Sequence, residues 1–213
     1  MPAEFKRHWP PCVEAAIADL GHPGPLWFRG HAGTHRLLPT LLRFPGGAAN
    51  ESRIIERFRR EKGIPHDEHP VRVLEALHHD YQPTRLLAWT SCLRVALFCA
   101  LVREADEAVV FVLDPIRLNA MSARSGILKL TAAAPLAPAE RFVEEFTLSE
   151  PPIAVEVAAP ARAGTSNDSL FTVHGTCLLP LEVQCPSCVR RVLFTEQERE
   201  LTMAALLSGS DQW

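Results

Sequence analysis

The apolar residues of this 213-residue chain change their spacing near its middle. In the first half they recur at three- and four-residue intervals, which makes one apolar stripe on a helix. In the second half they gather in short runs rich in Val, Ile, Leu and Phe, the mark of buried or half-buried strands. A short helix is expected over Val13 to Leu20, ended by Gly21, and LWFRG at 26–30 reads as a strand entering a turn. Asn50 is positioned to cap a helix over Glu51–Lys62, with Ile54, Ile55 and Phe58 inward, Glu56 and Arg60 paired on the solvated face, and Gly63 as the stop. Pro70–Asp80 reads as a further helix with Leu74 and Leu77 buried, and Pro83 ends it. TRLLAWTS is then an extended link. Thr90 or Ser91 caps a third helix through Glu104, buried along Leu93, Ala96, Leu97, Ala100 and Leu101.

AVVFVL at 108–113 is a buried strand closed by Asp114–Pro115. The stretch 115–150 reads as irregular, with one helix at Pro138–Phe146. Strands are expected at 153–158, 170–175, 178–183 and 189–194, and Thr195 with Glu198 forms a capping box for a last helix to about Leu207. The class is therefore α+β, a helix-rich N-terminal half packed on a mainly antiparallel, strand-rich C-terminal half. No internal repeat and no long linker interrupts it.

With 47% hydrophobic and 22% charged residues, wholesale disorder is excluded, and a net charge of −3 argues against a basic coat for nucleic acid. The charge is uneven. Residues 1–106 hold 14 Lys/Arg against 12 Asp/Glu, and residues 107–213 hold 8 against 13, so anion donors should come mainly from the first half. The opening residues lack the apolar core of a secretory signal, and the longest apolar run, Val95 to Val102, is far shorter than the roughly 20 residues that span a bilayer. A soluble, cytoplasmic protein with no membrane partner is expected. Its six cysteines follow no framework spacing and read as free thiols in a reducing compartment.

Several chemistries find little support. Cys185 and Cys188 make only half of a zinc knuckle, with His174 and Cys177 upstream, and no metal is expected. No G-x-S-x-G elbow, Walker A loop or dinucleotide glycine fingerprint occurs. Arg53, Arg57, Arg59, Arg60 and Lys62 could meet phosphates, but interleaved glutamates favour a solvated face.

Three stretches carry a family resemblance. LWFRGHAGTHRLLPTLLRF (26–44) holds Phe28-Arg29-Gly30 with Pro39 and Arg43, LHHDYQPTRLLAWTSCLRVALFCAL (77–101) holds the PTRLLAWT block, and LFTVHG (170–175) is a Phe-containing strand. Together, in this order and over about residues 26–194, they resemble the FRG domain, a bacterial and phage family named for its Phe-Arg-Gly signature. The resemblance implies one FRG-like domain over 26–213, preceded by a lead segment (1–25) with its short helix. The sequence departs from the family pattern at Ala88, where members usually carry aspartate. Tyr81 stands at a family glycine and Gln82 at a small apolar residue. A glutamine expected before Phe171 is absent, with Asn167 the nearest polar substitute. Ala88 leaves two readings open, a divergent or inactive member or a disarming substitution.

A weaker resemblance is to ADP-ribosyltransferases that begin with an aromatic-Arg-Gly strand, follow it with a hydroxyl-bearing motif, and place a catalytic acid on a later strand. It implies that Phe28, Arg29, Gly30, Thr84, Arg85, Trp89, Thr90 and Ser91 bind NAD. It implies catalytic roles for Glu156 or Glu182, with His79 as acid or base and Ala88 at the family's aspartate position. Duller roles stand beside these. Arg29 could pair with an acid such as Glu75, and Arg85 could tie two segments. His79 could bond a free helix carbonyl, Trp89 could be core, and Thr90 and Ser91 could be caps alone.

The leading expectation is an FRG-domain effector, a toxin or phage-conflict protein, that uses NAD as substrate and transfers ADP-ribose to a nucleic-acid or protein acceptor or hydrolyses the dinucleotide. An antitoxin or inhibitor would then be its partner. The alternatives are a non-catalytic module that recognises a nucleotide or partner, and an enzyme acting directly on nucleic acid.

Overall fold

The computed structural model describes residues 9–21, 24–103, 105–122, 126–130, 151–158 and 169–208. The helix expected at Pro138–Phe146, and Asn167, lie outside them. The chain forms two compact units, each assembled from separated stretches: Met1–Arg36 with Thr90–Asp114 and Pro186–Trp213, and Leu37–Trp89 with Pro115–Cys185.

The first unit is built on a three-stranded antiparallel sheet. Strand β1 (Trp27–Ala32) and the last strand of the chain, Val189–Leu193, flank a central strand Ala108–Leu113. Every residue of that central strand is buried, as an unbroken AVVFVL run requires. Phe28, Val110, Val112 and Val192 form a core with helix Leu93–Leu101, whose buried face is the expected Leu93, Ala96, Leu97, Ala100 and Leu101. Helix α1 (Pro11–Leu20) and the C-terminal helix (Glu196–Leu207) add Val13, Leu20 and Leu206 to it. Gly21 ends α1 in the left-handed conformation, and Thr195 and Glu198 close the expected capping box.

Two local readings change here. Gly30 does not end β1, which runs on to Ala32; the turn comes at Gly33, with φ +93°. A Cβ on Gly30 would run into the Ala96 carbonyl, so the glycine is where helix and strand approach most closely. The helix after Trp89 is capped at Cys92 without a side-chain bond; Thr90 Oγ1 instead accepts from Cys92 N at 3.0 Å in the turn ahead of it.

The second unit holds a four-stranded sheet. Strand β2 (Leu86–Trp89) pairs with Ser169–Val173, which pairs with Ile153–Val157, both antiparallel, and Leu128–Leu130 joins the far edge in parallel. One face, with Leu86, Ile153, Val155, Phe171 and Val173, is covered by Val71, Val73, Leu74 and Leu77 of helix α3 (Pro70–His79) and by Phe58 of helix α2 (Gly47–Lys62). The class is α+β, and both sheets draw strands from both halves of the chain.

Helix α2 starts earlier than expected. Its N-cap is Gly46, and Asn50 lies inside the first turns, donating from Nδ2 to the Gly46 carbonyl at 3.0 Å. Ile54 and Ile55 are half-buried, and the pair seen on the solvated face is Arg57–Glu61 at 3.8 Å. Helix α3 is capped by His69, whose Nδ1 accepts from Val71 N at 3.2 Å. Burial first, then the neighbouring Arg72, lowers the His69 pKa against the pull of Glu68, a direction that favours the neutral, accepting ring. The stretch read as irregular after residue 115 contains a helix, Pro115–Met121. Its Asn119 behaves like a strand edge, donating to Ala154 O at 2.9 Å and accepting from Ala154 N at 2.7 Å. LLPLEV at 178–183 is not a strand: Pro180 starts a one-turn helix, Leu181–Gln184, in which only Leu181 is buried. No helix among the described residues is long and apolar enough to cross a membrane.

Candidate functional site

The second unit carries an open cleft of about 550 Å³, within the size range of small-molecule sites. Its floor is the end of β2, Ala88 and Trp89, beside Ser169, Leu170 and Phe171 of the neighbouring strand. One wall is the loop from His78 to Pro83, and Thr40 and Phe44 border the other side of the lining.

The loop's shape follows from how α3 ends. Gln82 N donates to Leu77 O at 3.0 Å and Tyr81 N to His78 O at 3.1 Å, the pair of bonds that closes a helix through a left-handed residue. That residue is Tyr81, with φ +58°, the one non-glycine at positive φ among the described residues. The turn points His78, His79 and Tyr81 at the cleft and delivers Pro83 into the extended backbone of β2.

Behind the loop, Thr84 is fully buried and ties three segments. Its Oγ1 lies 3.3 Å from His78 Nδ1 and accepts from Leu86 N at 3.3 Å. Its amide donates to Thr40 Oγ1 at 3.3 Å, and its carbonyl accepts from Leu41 N at 3.2 Å. His78 also sets its ring edge on Phe171, 5.4 Å between centroids. Arg85, 5% exposed, donates from Nε to both Glu51 carboxylate oxygens at 2.7 and 2.9 Å, again from Nη2, and from Nη1 to the His174 carbonyl at 3.1 Å. It ties α2 to the strand region and does not line the cleft.

Trp89 is almost wholly buried yet borders the cleft. Its Nε1 donates to Thr172 Oγ1 at 3.1 Å, and that oxygen lies 3.1 Å from His174 Nε2. A hydroxyl that accepts the indole proton has its own proton to give to the imidazole. This chain fixes the indole plane.

The residues singled out from the sequence fall into three groups. His79, Ala88 and Trp89 meet in the cleft, with Thr84 directly behind it. His79 is open to solvent, 3.9 Å from Glu75. Phe28, Arg29, Gly30, Thr90 and Ser91 meet in the first unit, where Phe28 and Thr90 exchange backbone bonds at 2.7 and 2.9 Å. Phe28 is core there, Arg29 is half-buried on β1 opposite Phe111, and Ser91 is exposed beside a hollow of only about 120 Å³. Neither acid is in the cleft lining, though Glu156 stands opposite the cleft residue Leu170 in the strand register. Glu156 pairs with Lys129 at 3.3 Å, and Glu182 accepts from Leu37 N at 3.2 Å.

None of the described residues lining the cleft is Asp or Glu. Nor do three or more described His, Cys, Asp or Glu gather where they could hold a metal. Of the six cysteines, Cys185 and Cys188 are buried and Cys92 and Cys99 exposed. The cleft residues not singled out one by one from the sequence are Thr40, Phe44, His78, Ser169 and Leu170. Only His78 carried a signal, its place next to His79 at the end of an amphipathic helix.

Residues 24–108, which take in β1, α2, α3, β2 and the helix that follows, match the family model of the FRG domain. No curated protein and no solved structure matches the chain.

Proposed function

Taking an FRG domain over residues 24–108 as the premise, we propose that this protein is an effector that binds a nucleotide of the NAD class in the cleft of its second unit. The supporting observation is the lining itself: Phe44, Tyr81, Trp89 and two imidazoles offer ring faces and hydrogen-bonding groups. Such a surface suits a planar heterocycle joined to a ribose. The chemistry suited to it is cleavage of the nicotinamide–ribose bond, in which nicotinamide leaves with the bonding electrons and the ribose carbon passes through an oxocarbenium-like state. Water captures that carbon in hydrolysis and an acceptor nucleophile captures it in ADP-ribose transfer, each losing one proton. A carboxylate beside the ribose stabilises the positive charge that develops, and Ala88 occupies the position of the family's aspartate in the cleft floor. The protein as it stands therefore holds the dinucleotide and turns it over poorly.

The test is calorimetric NAD binding together with nicotinamide release by this protein and by Ala88→Asp. Binding by both forms, with release raised about 10²-fold or more by the aspartate, is the expected result. Absence of NAD binding by the unaltered protein would overturn the reading. Binding by both forms without release from Ala88→Asp would leave a recognition module.

A second reading is favoured by a different observation, the pairing of Phe28 with Thr90 that brings Arg29 next to a hydroxyl-bearing turn. Here Arg29 grips the dinucleotide's phosphates in the first unit. Arg29→Ala would then abolish NAD binding, and His79→Ala would not.

A further inference from the structure

The C-terminal turn of α3 requires a left-handed residue, a place where glycine costs nothing and a side chain is strained by about 1–2 kcal/mol. The chain puts a tyrosine there. The phenol gains little from the fold in return, being 97% exposed. Strain held at an exposed aromatic that lines a cleft points to a ligand. A second aromatic repeats the situation: Phe44 borders the same cleft, is 60% exposed, and is held by the turn that starts α2, in which Gly47 N donates to its carbonyl at 2.9 Å. Adding a Cβ to Gly47 would clash with the Leu41 carbonyl, so that turn is tightly packed.

From these two positions we infer that Phe44 and Tyr81 form an aromatic clamp that stacks on the heterocyclic ring of the bound nucleotide. The inference rests on the nucleotide reading of the cleft and assigns its ring-recognition residues. Two ring faces on braced turns present stacking area at small entropy cost, because an aromatic side chain has only two torsions to immobilise. The described cleft lining holds no carboxylate, so nothing there repels the phosphates that accompany the ring.

Tyr81 is the chain's one tyrosine, so incorporation of 3-fluorotyrosine gives a single fluorine resonance at the proposed clamp. The full chain so labelled is titrated with NAD, with AMP and nicotinamide mononucleotide, and with ribose 5-phosphate, which lacks a ring. Movement of the resonance by the ring-bearing compounds and not by ribose 5-phosphate is the expected result. Phe44→Ala and Tyr81→Gly should each weaken NAD binding about tenfold in calorimetry without lowering the unfolding midpoint. If NAD binds calorimetrically while the resonance stays still, the clamp is overturned and the nucleotide reading stands. If NAD does not bind but AMP moves the resonance, the NAD reading falls and the clamp stands. A resonance that no ring-bearing compound moves overturns the clamp in either case.

Discussion

Glu51 and Arg85, 34 residues apart in the chain, form a buried fork in which Arg85 Nε reaches both carboxylate oxygens, at 2.7 and 2.9 Å. A paired charge in the interior is tolerated; an orphaned one is not. Glu51→Ala should cost about 3–5 kcal/mol in urea unfolding, because it strands the guanidinium. Replacing both residues with leucine should recover most of that loss. A single variant that unfolds like the parent would mean the pair contributes nothing.

The indole of Trp89 is held through Thr172 to His174. Thr172→Val keeps the shape and removes the acceptor, so it should cost about 1–3 kcal/mol. Because Trp89 borders the cleft, the NAD affinity proposed for it should fall as well. Thr172→Ser, which keeps the hydroxyl, should restore binding.

Gly30 lies under the helix that begins at Leu93, and any Cβ there meets the Ala96 carbonyl. Gly30→Ala should destabilise the first unit by about 3 kcal/mol or more, measured by thermal unfolding. An unchanged midpoint would show that strand and helix separate freely and would return Gly30 to the list of ligand contacts.

The last helix is sensitive to acid. Glu198 Oε2 accepts from Thr195 N at 2.8 Å and from Thr195 Oγ1 at 2.7 Å, and these bonds hold its carboxyl below the usual value of 4.5. The unfolded chain therefore binds a proton here before the folded one does. The cap's contribution is complete above about pH 4.5 and is lost as the pH falls through the lower folded-state value. Thr195→Ala should cost about 1 kcal/mol at neutral pH, and Glu198→Gln should flatten the acid limb of the stability curve. Cys12 beside it is pushed up to about 11 by burial and by the Glu198 carboxylate. At pH 8 it should alkylate more slowly than the exposed Cys92 and Cys99.

Tyr81 separates backbone from side chain. Tyr81→Gly should leave the unfolding midpoint unchanged or raise it slightly, since relief of the left-handed strain is partly offset by glycine's greater entropy when unfolded. Tyr81→Val should lower it, a branched side chain being least suited to positive φ. A midpoint lowered by glycine would mean that the tyrosine ring stabilises the fold.

Features set by neighbours in sequence were legible without a structure. The Thr195–Glu198 box, the left-handed stops at Gly21 and Gly63, the inward face of the helix from Leu93 and the buried run Ala108–Leu113 all depend on residues within a few positions of one another. Local hydrogen bonds and helical periodicity determine them. The PTRLLAWT block and the Arg-Gly pair likewise lie in the stretch, residues 24–108, that matches the FRG family model.

What depends on distant partners needed the tertiary structure. LLPLEV has the composition of a strand, but Pro180 lacks a ladder donor and the segment turns into a short helix instead. Arg85 and Thr84 resemble ligand contacts in sequence, yet their partners, Glu51 and Thr40, arrive from tens of residues away. The cleft itself joins the end of α3, a turn before α2 and two paired strands. Helix, strand and cap follow from short-range sterics and hydrogen bonding, whereas a site is a coincidence of segments that only long-range packing brings together.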